Sequence, residues 1–176
     1  DLGAHIIDLG RFLIGEPKSV SALTATFITE RQDPDGAGAR AVDVDDAFEA
    51  AVEFQNGAVG TLEATRFAPG RKNANTFEIN GEKGSLRFEF EDMNVLWFFD
   101  AALDDRTSGW RRILVTSSAG QHPYVDAWWP DGHVLGYEHT FTHTVYDLLE
   151  AVADDRVPTP NFGDGVKNQK VLDAIE

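Results

Sequence analysis

Two side chains that can move protons lie one helical turn apart in the octet DLGAHIID, residues 1–8. Asp1, His5 and Asp8 are spaced i, i+4 and i+7, which places all three on one face of a helix. A carboxylate beside an imidazole makes a proton-handling pair, because imidazole changes its charge close to neutral pH. The spacing predicts that role for Asp1 and His5, and an exposed helix acid at Asp8. Taken alone, it also fits an N-terminal helix charge and a partly buried histidine.

A second group of chemically useful side chains lies in residues 121–133, an aromatic stretch bounded by Pro and Gly. Trp128, Trp129 and His133 belong to it, and His139 follows shortly after. Aromatic faces beside hydrogen-bonding groups suit a sugar ring, because the ring has an apolar C–H face and a polar rim. We predict that these four residues bind substrate. The two tryptophans could instead cover a sheet edge or form a subunit contact.

Arg71 and the spacing of the histidines give weaker indications of function. Arg71 follows a predicted strand, where it could bind a substrate hydroxyl or carboxylate, and a solvated loop is the alternative. The 5 histidines follow no dedicated ligand spacing such as His-Glu-x-x-His, so no metal site is predicted. Cysteine is absent, which excludes disulfide bonds and thiolate ligands. His143 is predicted to be an ordinary helix residue.

The composition indicates a folded domain that binds a small, neutral, polar molecule. The 176 residues are 42% hydrophobic and include 12 Phe and 4 Trp, which is enough to bury a core. A formal net charge of −15 argues against binding to nucleic acid or to an anionic membrane surface, since both require Lys and Arg. The longest apolar run, residues 95–99, is far too short to span a bilayer. We expect a cytoplasmic protein.

Helices and antiparallel strands must position these side chains. The first helix is predicted to stop at Gly15-Glu16-Pro17, because Gly accepts the C-cap geometry and Pro cannot continue a helix. Asn56-Gly57 predicts a tight hairpin, and residues 29–42 are predicted to be a loop. Strands are predicted at residues 20–28, 48–54, 58–65, 76–80, 85–91, 94–99 and 110–116, and two final helices at 141–152 and from 162. This order predicts an α+β fold, with an open, largely antiparallel β-sheet and helices packed on one face.

A series of short motifs also runs through the chain. They are Asp-x-Gly-x-His-x-x-Asp at residues 1–8, the hairpin motif at 44–60, Glu-Ile-x-Gly-x-x-Gly-Ser at 78–85, Gly-Tyr-Glu-His-Thr-Phe at 136–141 and Asp-Gly at 164–165. In this order they resemble the C-terminal domain of the Gfo/Idh/MocA oxidoreductases over nearly the whole chain. Members of that family join an N-terminal Rossmann domain, which binds NAD or NADP, to a C-terminal α+β domain that completes the substrate pocket.

The resemblance implies that residues 1–176 form a single α+β domain for substrate binding and oligomerisation. No Gly-x-Gly-x-x-Gly and no Glu-Lys-Pro motif occurs in the chain. The resemblance therefore implies that the dinucleotide-binding domain, with the family's catalytic lysine, is missing from it. Asp1 and His5 match the family's catalytic or substrate-contacting aspartate and histidine. We expect His5 to accept the substrate proton, and Asp1 to bind a substrate hydroxyl and hold His5.

The residues and the resemblance leave three functions open. The first is an NAD(P)-dependent dehydrogenase that acts on a secondary alcohol of a sugar or polyol. The second is an NAD-dependent glycoside hydrolase of the same family, and the third is a non-catalytic ligand-binding or assembly module. We expect the isolated chain to be inactive, because hydride transfer needs a cofactor held elsewhere. We also expect a homodimer or homotetramer formed through the open face of the sheet.

Overall fold

The computed structural model describes residues 2–36, 38–119 and 122–176. The chain divides into two compact units, the first made of residues up to Gly70 with Thr159–Glu176, and the second of Arg71–Pro158. Helices and antiparallel strands make up both, which confirms the predicted α+β class. In chain order the elements are α1 (Leu2–Leu13), β1 (Pro17–Ala25), β2 (Glu30–Gln32), β3 (Ala39–Ala41), β4 (Ala47–Phe54), β5 (Val59–Thr65), β6 (Thr76–Gly81), β7 (Gly84–Glu89), β8 (Val95–Asp100), β9 (Arg111–Leu114), α2 (Glu138–Ala153) and α3 (Phe162–Ile175).

The strands pair into three antiparallel sheets, β1-β4-β5, β2-β3 and β6-β7-β8-β9. The sequence predicted one open sheet, whereas the described strands pair in three separate groups, because the alternation of residues along a strand does not encode which edges pair. The predicted hairpin at Asn56-Gly57 is confirmed and joins β4 to β5. Gly57 has φ +88°, a left-handed conformation that glycine adopts at little cost.

Residues 29–42, which were predicted to be a loop, contain the small β2-β3 hairpin instead. Its turn is held by Asp33, whose carboxylate accepts the backbone N–H of Asp35 at 3.1 Å and forms an ion pair with Arg40. Side-chain bonds to the local backbone allow a polar segment to turn back on itself without an apolar face. Hydrophobic patterning therefore did not reveal this hairpin.

In the first unit, helices cover one face of the β1-β4-β5 sheet. α1 packs against β5 and α3, and α3 packs against β1. Alternate residues of β4 are buried, whereas Glu49 and Ala51 between them are exposed, so the other face of the sheet is open. This arrangement is the one-sided packing that the sequence predicted. The core consists of Ile7, Phe48, Ala50, Val52, Phe54 and Ile175.

α1 ends where the sequence predicted, and its end is tied to the sheet. Gly15 has φ +131°, and Pro17 opens β1. The side-chain amide of Asn56, in the hairpin turn, donates a hydrogen bond to the Ile14 carbonyl oxygen at 2.8 Å. This carbonyl lies where a helix leaves its acceptors unpaired. The β4-β5 turn therefore fixes the C-terminal end of the helix that carries His5.

Gly3 brings the N-terminal turn of α1 close to the core. A Cβ atom on Gly3 would lie 2.7 Å from Phe48 Cε1 and 3.2 Å from Leu172 Cδ2. We predict that Gly3→Ala lowers the free energy of unfolding by about 1–3 kcal/mol, because a buried ring must shift to admit the methyl group. In the matched control Gly10→Ala, the new methyl group would meet Leu62 Cδ2 at an ordinary 3.5 Å. Urea unfolding of the two variants measures the difference.

The Gly10→Ala control is expected to stabilise the chain by about 0.5–1 kcal/mol, because alanine has the better helix propensity. Equal stability of the two variants would contradict the close approach at Gly3.

A buried arginine joins α1 to α3. Arg11 is 9% exposed, and its guanidinium donates to both carboxylate oxygens of Glu16 at 2.9 and 3.0 Å. It also donates to the Asp164 carbonyl oxygen and to Asn168 Oδ1, both at 3.0 Å. The Asn168 amide in turn donates to the Ala4 carbonyl oxygen at 3.0 Å. These bonds fix α1 to α3 on both sides of the turn that holds His5.

The same network predicts a pH dependence of stability. The hydrogen bond from Arg11, with a further one from Lys167, lowers the pKa of Glu16 to about 2. A carboxyl group whose pKa is depressed by folding contributes stability above its unfolded pKa of about 4.3, and loses it as the pH falls towards the folded value. We predict that Glu16→Gln reduces the loss of stability between about pH 4.5 and pH 2. Urea midpoints across that range test this.

Solvent screening at Glu16, whose side chain is 38% exposed, limits the expected difference to about 1 kcal/mol. Glu63→Gln removes an exposed carboxylate on β5 and serves as the matched control. The prediction fails if both variants keep the wild-type dependence on pH.

In the second unit, β6-β7-β8-β9 form a meander, and the segment that precedes α2 is anchored to it. The Asn94 side chain exchanges two hydrogen bonds with the backbone of Leu135, at 2.8 and 2.9 Å. The Tyr137 ring meets Phe90 edge to face, with centroids 5.8 Å apart. These contacts fix the start of α2. The apolar stripe that predicted this helix is 50–70% exposed, and consists of Phe141, Val145, Leu148 and Val152.

Candidate functional site

His5 is the candidate proton acceptor, and α1 presents it to the solvent. Gly3, Ile7 and Arg11 form the buried stripe of α1, and His5 lies outside this stripe with an exposed side chain. Within the described ranges its imidazole has no hydrogen-bond or ion-pair partner. Asp1, its predicted partner, lies outside the described residues, so the pairing of the two stays a prediction. An exposed imidazole on an anchored helix is available to a ligand.

Two hydrogen bonds attach the aromatic loop, residues 122–133, to α2. The Trp128 indole Nε1–H donates to His143 Nε2 at 3.1 Å, and the Tyr124 hydroxyl donates to the Asp147 carboxylate. The Tyr124 ring also stacks on His143, with centroids 4.1 Å apart and planes at 22°. The prediction that His143 is an ordinary helix residue is therefore wrong, because this imidazole holds Trp128.

The sequence contains a pattern that could have identified these attachment residues. His139, His143 and Asp147 are spaced i, i+4 and i+8, so they lie along one face of α2. A polar stripe of this kind, on a helix that follows an aromatic loop, indicates that the loop is fastened to the helix. Tyr124 and His122 were part of the aromatic stretch, but nothing in their spacing distinguished them as structural residues.

The protonation states of these groups fit their hydrogen bonds. The Asp147 hydrogen bond, followed by burial, raises the pKa of Tyr124 to about 12, so its hydroxyl stays a donor at neutral pH. Burial lowers the pKa of His143, and the nearby His122 and His139 lower it further, against a smaller opposing effect of Asp147. His143 is therefore neutral near pH 7, which leaves its Nε2 free to accept the Trp128 proton.

Trp128 lines two cavities of the second unit. The larger cavity, of about 460 Å³, is lined by residues 116–118, Val125 and residues 128–131. The smaller cavity, of about 200 Å³, is lined by Trp128 together with His122, His139 and His143, among others. The larger volume falls in the range of small-molecule sites, and its lining combines indole rings with hydroxyl and carboxylate groups.

The polar lining of the larger cavity is partly engaged in the local fold. The Asp131 carboxylate accepts the backbone N–H of Ser118 at 2.7 Å, and this bond lowers the pKa of Asp131. The cavity therefore carries a negative carboxylate at neutral pH, which can accept hydrogen bonds from ligand hydroxyls. Thr116 is 4% exposed, and its Oγ1 has no hydrogen-bond partner among the residues described.

Two other predicted substrate contacts, His133 and His139, lie near the two tryptophans. His133 Nδ1 is 2.6 Å from the Pro130 carbonyl oxygen, and its ring centroid is 6.3 Å from that of Trp129. His139 lines the smaller cavity, and its Nδ1 accepts the Gly136 N–H at 3.1 Å, which leaves Nε2 for a ligand. The structure thus groups both histidines with the two tryptophans.

Arg71 does not belong to this group. Its guanidinium forms ion pairs with Glu89 at 3.2 Å and Glu91 at 3.5 Å, and Arg71 lines neither cavity. Glu91 also accepts the backbone N–H groups of residues 72 and 73. A substrate oxygen would therefore compete with Glu89 and Glu91 for the Arg71 guanidinium. The predicted contact between Arg71 and substrate stays a prediction.

The described parts of the chain lack three further features. No group of three or more potential metal ligands occurs there. None of the helices there has both the length and the apolar character needed to cross a bilayer. All strand pairs in these ranges are antiparallel, so they contain no parallel strand–helix–strand unit of the dinucleotide-binding type.

Comparison with known proteins identifies the family. Residues 1–87 match the GFO/IDH/MocA C-terminal domain. The chain belongs to the Gfo/Idh/MocA family. Levoglucosan dehydrogenase of Pseudarthrobacter phenanthrenivorans is 36% identical over 189 residues, which cover 99% of this chain and 47% of that protein. The resemblance inferred from the motifs is confirmed.

Solved structures agree with this assignment over nearly the whole chain. An oxidoreductase domain protein from Kribbella flavida is 53% identical with a TM-score of 0.91, covering 99% of this chain and 46% of that one. Levoglucosan dehydrogenase in complex with NADH and levoglucosan is 38% identical with a TM-score of 0.90, covering 99% and 46%. This chain spans about half the length of these relatives.

Proposed function

We propose that this chain is the substrate-binding half of an NAD-dependent oxidoreductase that acts on a secondary alcohol of a sugar or polyol. The observation that carries the proposal is the exposed imidazole of His5 within the family motif, on a helix anchored at Gly3 and Arg11. The relatives support the substrate class, since levoglucosan dehydrogenase structures contain NADH with levoglucosan or with L-sorbose. Residues 1–176 would act as one substrate-binding and oligomerisation domain.

The chemistry assigned to this chain is the proton transfer. Oxidation of a secondary alcohol removes a hydride from carbon, which NAD⁺ accepts when bound, and a proton from the hydroxyl group. His5 Nδ1 or Nε2 would take that proton from a hydroxyl within ~3 Å. Asp1 would accept a hydrogen bond from a substrate hydroxyl and orient the His5 ring. His5 would act near the N-terminal end of α1, which Gly3 holds against the core.

The described strands are all antiparallel and form no parallel strand–helix–strand unit of the kind that binds dinucleotides. We therefore assign NAD binding mainly to residues outside this chain. NADP is the alternative cofactor, and we assign the residues that would distinguish the 2′-phosphate from a hydroxyl to the same part of the protein outside residues 1–176. Nothing in the proton transfer from substrate to His5 depends on that choice.

The aromatic loop would bind the substrate ring. Trp128 and Trp129 would supply the apolar face, and His133 and His139 the hydrogen-bonding groups. Arg71 would contact a substrate oxygen after exchange with its carboxylate partners Glu89 and Glu91. The cavity of about 460 Å³ beside the two tryptophans supports this assignment, because it is large enough for a small sugar ring.

The test is reduction of NAD⁺ or NADP⁺ by the complete gene product with a panel of sugars and polyols that includes levoglucosan and L-sorbose. We expect NADH to form with at least one member of the panel, and the 176-residue chain alone to give none. Hydrolysis of a glycoside with the cofactor returned unchanged would replace this proposal with the glycoside hydrolase. Sugar binding without any turnover would indicate the non-catalytic module.

The open face of the β1-β4-β5 sheet is the proposed surface for homodimer or homotetramer formation. It exposes Leu23 and Val59, which are 77% and 81% accessible. Exposed apolar side chains on a sheet face suit pairing with a second copy. We predict that light scattering gives a dimeric or tetrameric mass, and that Leu23→Asp lowers it. A monomeric mass of the wild type at micromolar concentration would contradict this prediction.

A further inference from the structure

One hydrogen bond determines where the Trp128 ring sits. The indole Nε1–H donates to His143 Nε2 at 3.1 Å, and an indole nitrogen can only donate. His143 Nε2 must therefore be free of its proton for this bond to exist. We propose that neutral His143 positions Trp128 for sugar binding, and that protonation of His143 releases the ring. The inference rests on the proposed function for the class of ligand alone.

The surroundings of His143 keep it neutral near pH 7. From the aromatic loop it faces His122, at a centroid distance of 6.2 Å, and the stacked Tyr124 ring. From α2 it faces His139 and Asp147, one turn before and one turn after it. The Asp147 carboxylate already accepts the Tyr124 hydroxyl. Burial and the two histidines therefore dominate, and they keep the pKa of His143 below its ordinary value.

Acidification would place two donors against each other. A proton on His143 Nε2 would point at the Trp128 Nε1–H across the present 3.1 Å contact, so the indole ring must rotate or withdraw. The Tyr124–Asp147 bond does not involve this proton and keeps the loop on α2. The hydrogen bond that is lost is that of Trp128, which lines both cavities. His143 acts through Trp128 and is a positioning residue.

The first experiment follows the Trp128 indole N–H by NMR as a function of pH, without ligand. The chain contains 4 tryptophans, and Trp128→Phe assigns the signal. We expect a shift whose midpoint lies below the ordinary histidine pKa of about 6.5. In His143→Gln the amide oxygen accepts the indole proton at every pH, so the shift should disappear. His133→Gln, which alters the exposed histidine beside Trp129, should leave it unchanged.

A second measurement uses the wild-type protein alone, so that the test does not depend on whether a variant folds. The His143 ring protons and the Trp128 indole N–H should titrate with the same midpoint. Different midpoints would overturn the proposal, as would a His143→Gln protein whose Trp128 signal still titrates like the wild type.

The second experiment measures levoglucosan binding by calorimetry. Affinity of the wild type should fall about tenfold between pH 7 and a pH below the His143 midpoint, because a partly buried donor loses its partner. His143→Gln should bind equally at both values. Equal wild-type affinity, or no binding at either pH, would overturn the role of Trp128 in sugar binding. Failure of NADH formation alone would instead overturn the proposed function and leave the Trp128 titration intact.

Discussion

Replacing His5 with alanine is expected to lower kcat for NAD⁺ reduction by about 100-fold or more in the complete gene product. The expectation follows from the exposed imidazole, which has no partner among the described residues, and from its place on a helix that packs against β5 and α3. Without His5, the alcohol proton loses the acceptor that we propose for it. Steady-state rates with saturating NAD⁺ measure the effect.

A structural role for His5 would give a different result. Asp8→Asn is the matched control, because Asp8 is an exposed α1 residue one turn away that is not assigned to the site. If His5→Ala keeps wild-type turnover, or if Asp8→Asn loses as much, the octet contains only an ordinary surface helix.

Features that depend on a few neighbouring residues could be predicted from the sequence. The stop of α1 follows from Gly15 and Pro17, and the β4-β5 hairpin follows from Asn56-Gly57, because these residue types restrict the backbone locally. The burial of alternate residues in β4 follows from strand periodicity. The family motifs then supplied the position of His5, which periodicity alone could not distinguish from a surface histidine.

Features that depend on distant partners could not be predicted in the same way. Arg11 is charged, so patterning places it at the surface, yet it is buried because its partners on α3 lie more than 150 positions along the chain. His143 lies on a helix that is mostly exposed, and only the position of Trp128 gives it a role. Division of the strands among three sheets depends on which edges pair, and alternation does not encode pairing.

The residues that sequence reasoning missed share a purpose in the proposed chemistry. Arg11 and Asn168 hold the helix that carries His5, and Tyr124 and His143 hold the loop that carries Trp128. A proton acceptor must stay within about 3 Å of its hydroxyl, and a stacking ring must stay parallel to the sugar. Polar contacts with fixed donor and acceptor directions add this restraint to the close packing of the core.

Arg11→Met is expected to cause the largest loss of stability in the chain, about 3–5 kcal/mol in urea unfolding. The guanidinium is 9% exposed and satisfies Glu16, the Asp164 carbonyl oxygen and the Asn168 side chain together. Methionine fills the aliphatic part of the space, but the Asp164 carbonyl oxygen and Asn168 Oδ1 lose the arginine donor. The Glu16 carboxylate loses its two bonds from Arg11 and keeps its contact with Lys167. Uncompensated polar groups of this kind cost far more than a lost surface contact.

The exposed pair Lys18–Glu53 provides the control. Its atoms are 2.7 Å apart, shorter than any Arg11 contact, yet the two side chains are 60% and 43% exposed. Lys18→Met should therefore cost less than about 1 kcal/mol, since water replaces the lost partner. In a double-mutant cycle, Arg11→Met and Glu16→Gln should be coupled, because the two side chains are partners in the same two hydrogen bonds. A loss of stability at Arg11 no larger than that at Lys18 would contradict the prediction. It would mean that the burial of the guanidinium adds little to the anchoring of α1.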